Sequence, residues 1–298
     1  VMQHKSFATR RRLLQAGMGS AVMSALPLWA QSEEAAKSGG VSPLMRTVAD
    51  YIANASQRAL PEQAAEATRH HLLDTIAAMI SGSRLLPGEK AIVYLKELGG
   101  RPEACVPGTR TLTTVVNAAL IGGMFGHADE TDDSHAVSLT HPGCGIVPAA
   151  LAMAEREKAN GTALLRAVAL GYDIGTRMSL ALGGYDFSRA GHGTHSFGPM
   201  FGAAAACASL ARLNEERVRF VLSYTTQQAG GLANYARDSE HVEKAFQFGG
   251  LPARNGAAAA TMVASGMSGI EDAFSGDRNF FFAFGAKAKD RKSTRLNS

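Results

Sequence analysis

Leu112-Thr-Thr-Val-Val-Asn-Ala-Ala-Leu-Ile-Gly-Gly-Met-Phe125 runs directly into Gly126-His-Ala-Asp-Glu-Thr-Asp-Asp-Ser-His135, and Thr140-His-Pro-Gly-Cys-Gly145 follows five residues on. The first stretch is an apolar helical pattern that Thr111 or Thr113 can cap. The second packs three Asp, one Glu, two His and two hydroxyls into ten residues. Charges this dense between buried helices must be solvated, paired or in use. An isolated acidic run is ordinarily a solvated loop. Here it ends a buried helix, His141-Pro-Gly opens another whose free N–H groups suit an anion, and similar polar clusters recur downstream. The stretch therefore reads as a site joining two helices.

Outward from it, periods of three and four residues dominate, and no sustained alternation marks a strand. Leu44, Val48, Tyr51, Ile52 and Ala55 form the inner face of a first helix, and Pro61-Glu62 starts a second through Ala67, Leu72, Leu73, Ile76 and Ile80 to Gly82. Glu89 to Leu98 forms a short helix closed by Gly99-Gly100, and Val106-Pro-Gly-Thr-Arg110 a turn after a brief extended segment. Further helices are expected over 146–158, 162–182, 197–213, 215–228 and 252–265. Gly122 and Gly123 are costly inside a helix and point to close helix packing rather than a nucleotide loop. The fold expected is all-α, with Ala and Gly letting helices approach closely.

The 298 residues are 46% hydrophobic, enough for a sizeable core. The net charge of +4 belongs to the chain's ends, since residues 31–286 carry 21 basic against 25 acidic side chains. A nucleic-acid-binding body is excluded on that ground. Thr9-Arg-Arg-Arg-Leu-Leu-Gln15 followed by an apolar stretch to Ala30 reads as a twin-arginine signal over 1–30, with periplasmic export and no stable membrane anchor once it is removed. Residues 31–43 read as a polar linker, 44–285 as the helical domain and the basic 286–298 as a non-native or artefactual tail. Cys105, Cys144 and Cys207 are an odd number without C-x-x-C spacing, which indicates neither a disulfide framework nor a zinc knuckle. Cys144 is read as a packing residue, and His70 and His71 as exposed or satisfied helix residues.

Three more clusters carry chemistry. Gly191-His-Gly-Thr-His-Ser-Phe-Gly198 is a glycine-bounded loop ahead of an Ala-rich helix, again suited to an anion. Glu240-His-Val-Glu-Lys-Ala245 places Lys244 beside Phe246 and Phe248. Ala253-Arg-Asn-Gly256 sets Arg254 in an apolar helix start, where it needs an acidic partner from the Asp-Asp motif or from a substrate.

Taken together, these motifs resemble the MmgE/PrpD family, which includes 2-methylcitrate dehydratase and cis-aconitate decarboxylase. The resemblance rests on His-Ala-x-(Asp/Glu)-x-Asp-Asp-(Ser/Thr)-His, His-Pro-Gly, the His192-x-Thr194-x-Ser196-Phe-Gly run, and Lys244 ahead of Ala253-Arg-Asn-Gly256, in order from about 44 to 285. It implies a lyase that acts on di- or tricarboxylates such as 2-methylcitrate, without metal or organic cofactor, by proton removal next to a carboxylate. It also implies a homodimer for the full-length protein. Carried over, Glu130, His141, His192 and Lys244 are catalytic, and Ser134, Thr194 and Arg254 bind substrate. Asp132, Asp133 and His135 support them. Glu130 and Ser134 stand where the family has Asp and Thr, and one extra residue separates Ser134 from His141. The family's second, α/β domain finds no match here, so the sequence reads as a fragment.

Other readings of the same residues are an epimerase or isomerase on this scaffold, a non-catalytic periplasmic carboxylate-binding domain, and a metal-dependent hydrolase using Asp129, Asp132, Asp133, His135 and His141. No repeated ligand spacing supports the last.

Overall fold

The computed structural model describes residues 40–285. The signal expected at 1–30, most of the linker expected at 31–43 and the tail expected at 286–298 lie outside them. The described residues form helices α1 (Pro43–Asn54), α2 (Glu62–Gly82), α3 (Leu86–Leu98), α4 (Val115–Gly126), α5 (Pro142–Arg156), α6 (Gly161–Ala181), α7 (Gly184–Arg189), α8 (Thr194–Leu210), α9 (Glu215–Gln228), α10 (Val242–Ala245), α11 (Leu251–Ala264) and α12 (Phe280–Phe284). A π-helical turn, Phe246–Gly250, joins α10 to α11. The all-α expectation holds; the extended segments are two-residue strands, β1 (Ala104–Cys105) and β2 (Leu112–Thr113), paired antiparallel.

Two helices organise the core. Every residue of α8 except His195 is buried, and α4 is buried along most of its length. Such all-round burial is possible because their side chains are small and apolar. At the α6–α8 crossing the backbones nearly touch: a Cβ on Gly202 would lie 2.4 Å from the Gly171 carbonyl oxygen. Gly123 meets Gly249 of the π turn in the same way, at 2.4 Å, so the glycines inside α4 serve close packing as expected. Among the described residues no helix is long and apolar enough to cross a membrane.

Several helix starts follow local capping. Asn160 and Asn214 accept from Ala163 N–H and Arg217 N–H at 2.9 and 3.0 Å. Thr114, not Thr111 or Thr113, caps α4, because β2 takes up Leu112 and Thr113. Two expected faces are turned. In α1 the fully buried residues are Met45, Ala49 and Ile52, while Leu44 is exposed and Val48, Tyr51 and Ala55 are only partly buried. In α2 the buried set is Ala65, Thr68, Thr75, Ala78, Met79 and Gly82, and Leu73 and Ile80 face outward.

Candidate active site

The ends of the buried helices meet at one place. α4 delivers His127 as its C-cap, the acidic loop follows, and His141 stands at the N-cap of α5. His195 sits in the first turn of α8, and α10 with its π turn brings Lys244 and Phe248.

Asp132 is the buried centre. Its Oδ1 lies 2.9 Å from His127 Nδ1 and 3.4 Å from His141 Nδ1. Burial opposes its charge, but the two imidazoles prevail and hold the carboxyl well below the usual range. Burial also opposes protonation of both histidines. It wins at His127, which is lowered, and loses to Asp132 at His141, which is raised. Phe248 stacks on His127 at 4.1 Å and on His195 at 3.7 Å, and the His141 ring lies 5.0 Å from His127 and 5.3 Å from His195. His195 is pushed down to about 3, by burial first and then by His141 and His127. His127 Nε2, Asp132 Oδ2 and His195 Nδ1 are buried and have no hydrogen-bond partner among the described residues, and buried His141 Nδ1 has only the 3.4 Å contact with Asp132. Unpaired buried polar atoms cost about 1–3 kcal/mol each, so three at one spot mark a place that engages something polar.

Beside this cluster Lys244 pairs with Glu130, and His241 Nδ1 lies 3.3 Å from the same carboxylate. His241 Nε2 also lies 3.0 Å from the His127 carbonyl oxygen. Glu130 and His241 both hold left-handed backbone, φ 58° and 61°. Burial lowers Lys244, whose Nζ is 5.3 Å from the Phe248 ring centroid.

Asp133 faces the other way. It accepts from Gly143 N–H (2.9 Å) and Tyr172 O–H (2.7 Å), and pairs with His71 Nδ1 at 2.8 Å. It thereby ties the first turn of α5 to α6 and α2. His71 is thus a satisfied helix residue as expected, with Asp133 as its partner.

The structure brings together Glu130, Asp132, His141 and Lys244, but not all the residues singled out in the sequence. His192 lies elsewhere: its ring stacks on Phe187 at 4.2 Å and 15°, with Phe197 and Phe284 edge-on. Thr194 is buried, its hydroxyl donating to the Leu139 carbonyl at 2.6 Å. Ser134 is exposed and makes no side-chain hydrogen bond among the described residues. The His135 ring is held by Ser138 at 2.8 Å. Arg254 finds no carboxylate among the described residues; it donates to Asn255 at 2.9 Å and lies against Phe246. His127, His195 and His241 were missed. Each lay inside a quoted cluster, and the usable signal was its position one or two residues from a helix end.

Metal-ligand geometry is offered by two groups, His127/Asp132/His141 and His127/Glu130/His241, whose donor atoms lie within 4.8 Å of one another. The second carries the Lys244 ammonium on its carboxylate, which opposes a cation there. The ligand set read for a metal-dependent hydrolase is not assembled: Asp129 turns to Thr131, and His135 and Asp133 are engaged as above. Cys144 is fully buried against the His141 carbonyl at 3.2 Å, and burial holds its thiol well above the usual value.

The arrangement defines a helical domain carrying a buried imidazole–carboxylate cluster with an ammonium at its edge. Residues 46–292 match the MmgE/PrpD N-terminal domain, and the chain belongs to the MmgE/PrpD family. It is 30% identical over 233 residues to a cis-aconitate decarboxylase-like protein of Aspergillus oryzae, covering 74% of this chain and 46% of that relative. It is 27% identical over 241 residues to a cis-aconitate decarboxylase of Aspergillus terreus, covering 76% and 48%. The chain spans about half the length of the curated relatives it matches.

Proposed function

We propose that the full-length protein is a lyase acting on a small di- or tricarboxylate, by proton transfer next to a carboxylate with loss of water or carbon dioxide. The observation that carries this reading is the shared Asp132, whose carboxylate lies against His127 and His141 and favours the charged form of His141, while burial favours the neutral form of His195 and His127. An imidazole favoured as acid and an imidazole favoured as base thereby stand side by side, as such a reaction needs. Lys244 supplies a cation for a substrate carboxylate and for charge developing beside it. An incoming carboxylate competes with Glu130 for that ammonium. In this reading the chain's own residues provide the acid, the base and the cation.

Cis-aconitate, named by the relatives, and 2-methylcitrate and citrate, implied by the motif resemblance, are the substrates to test. The full-length protein is expected to turn over at least one of the three, and Lys244→Ala to raise its KM or lower its kcat by about 100-fold or more. No turnover of any of them, or an unchanged Lys244→Ala variant, would overturn the reading.

A further inference from the structure

Two histidines three residues apart, His192 and His195, meet different fates. The His192 ring packs against Phe187, Phe197 and Phe284, its backbone bridges to Leu232, and it makes no hydrogen bond or ion pair with Asp132 or Lys244 among the described residues. His195 stands in the first turn of α8 with its face on Phe248, its Nδ1 unpartnered and its ring beside His141 at 5.3 Å and 47°. Tyr235 closes the site edge-on to both Phe248 and His195, at 4.7 and 5.8 Å.

We propose that His195, and not His192, is the base that removes the substrate proton, with His141 beside it as the acid. The assignment deepens the lyase reading and rests on it. Two adjacent imidazoles can address neighbouring carbons on one face of a substrate, one taking a proton while the other gives one. They also differ chemically. His141 shares Asp132, whose carboxylate lies 3.4 Å from its Nδ1 and favours the charged form. His195 has no carboxylate in hydrogen-bonding contact among the described residues, an aromatic ring on one face and the positive end of α8 beneath it, all of which disfavour the imidazolium. The charged and titratable groups around it are His141 and His127, which push it toward the neutral form, and Asp132, whose opposing effect is weaker. A bound carboxylate adds negative charge beside the ring and raises its basicity toward the working range.

For a β-hydroxy acid the step balances. The C–H bond next to the carboxylate breaks and an N–H bond forms on His195, while the electron pair moves onto the carboxylate near Lys244. The pair then returns to form the C=C bond as the C–O bond breaks, and the oxygen leaves as water with the proton of His141. His195 ends charged and His141 neutral, and exchange with solvent restores both.

The test uses the full-length protein and its His195→Gln and His192→Gln variants, on 2-methylcitrate and citrate in water and in D2O. His195→Gln is expected to lower kcat by about 100-fold or more, with KM changed far less, and to abolish deuterium exchange at the carbon next to the carboxylate. His192→Gln is expected to retain both. Should His195→Gln fold poorly by circular dichroism, His195→Ala with added imidazole serves instead, and restored exchange supports the assignment. His195→Gln within about threefold of the unsubstituted protein, or loss of exchange in His192→Gln alone, overturns the assignment and leaves the lyase reading standing. Absence of turnover in the unsubstituted protein, with cis-aconitate included, removes both.

Discussion

Asp133→Ala tests whether the acidic motif is built into the fold or merely attached to it. The substitution removes the acceptor of two hydrogen bonds, from Gly143 N–H and Tyr172 O–H, and the partner of His71. Bonds to a charged acceptor contribute about 1.5–3 kcal/mol each, and the half-exposed His71 pair about 0–1 kcal/mol. Part of this is returned, because a largely buried carboxylate no longer has to be desolvated. The expected loss is therefore about 3–5 kcal/mol, or a fall of roughly 10 °C in the melting temperature of a domain this size. Asp133→Asn keeps one acceptor and should lose about half as much. In a cycle with Tyr172→Phe the coupling should be about 1 kcal/mol or more, since the two side chains touch. Gly143 lies two residues after His141, so the same substitution should also loosen His141 from Asp132 and lower kcat. Thermal unfolding of the full-length protein, followed by circular dichroism with activity in parallel, reads both effects. A melting point within about 2 °C of the parent would refute the reasoning.

Gly123→Ala and Gly161→Ala should move stability in opposite directions. A Cβ at Gly123 meets the Gly249 carbonyl oxygen at 2.4 Å and should cost about 2–3 kcal/mol, whereas one at Gly161 meets nothing within 4 Å and should stabilise by about 0.4–1 kcal/mol, both read from urea midpoints. Acid should destabilise the fold well above the range where Asp132 protonates. His195 is about 3 folded against 6.5 in its ordinary state, so between those values the unfolded chain takes up a proton that the folded chain refuses. Stability then falls as pH drops from 6.5, by at most about 1.4 kcal/mol per pH unit for that group, and His195→Gln should flatten the slope in denaturant titrations. His141 is raised, so kcat/KM should fall as pH rises through its value above 6.5; a profile flat from pH 6 to about 9 would remove His141 as the acid.

Much of this fold was legible because its signals are local. The asparagine caps, the glycine stops and the period of the helices need only neighbouring residues. The direction each helix faces does not follow from neighbours, and α1 and α2 show why. Their apolar residues cover more than one face, so the packing of α8, α9, α4 and α6 decides which residues are buried, and Leu73 and Ile80 are left outside. The acidic motif was recognisable from its charge density, but its partners were not. Asp133 finds Tyr172 across 39 residues, and His241 finds the His127 carbonyl across 114. The different surroundings of His192 and His195 were not legible for a related reason. Motif spacing placed both in one loop, while the start of α8 at Thr194 turns one ring toward Phe187 and the other toward Phe248.

By the motif resemblance, one extra residue separates Ser134 from His141. It falls in a turn closed by His135 and Thr140, whose backbones exchange hydrogen bonds at 2.8 and 3.4 Å around Ser138, with Leu139 at φ 52°. That closure fixes the distance from the loop to His141 whatever the number of residues inside it, and Thr194 anchors the turn through the Leu139 carbonyl. Asp132 and His141 can therefore meet despite the altered spacing. Glu130 has no such freedom. One methylene longer than Asp, it reaches Lys244 from a left-handed backbone that costs on the order of 1–3 kcal/mol, and His241 opposite it is left-handed too. Left-handed backbone at Glu130 and at His241, whose Nδ1 lies 3.3 Å from its carboxylate, next to three unpaired buried atoms, is difficult to account for as stabilisation. It is understandable if the contact is one a substrate carboxylate replaces. On that argument Glu130→Asp should relax the backbone, weaken the internal pair and lower KM for a carboxylate substrate. A raised KM in that variant would mean that Glu130 helps to hold the substrate rather than competing with it.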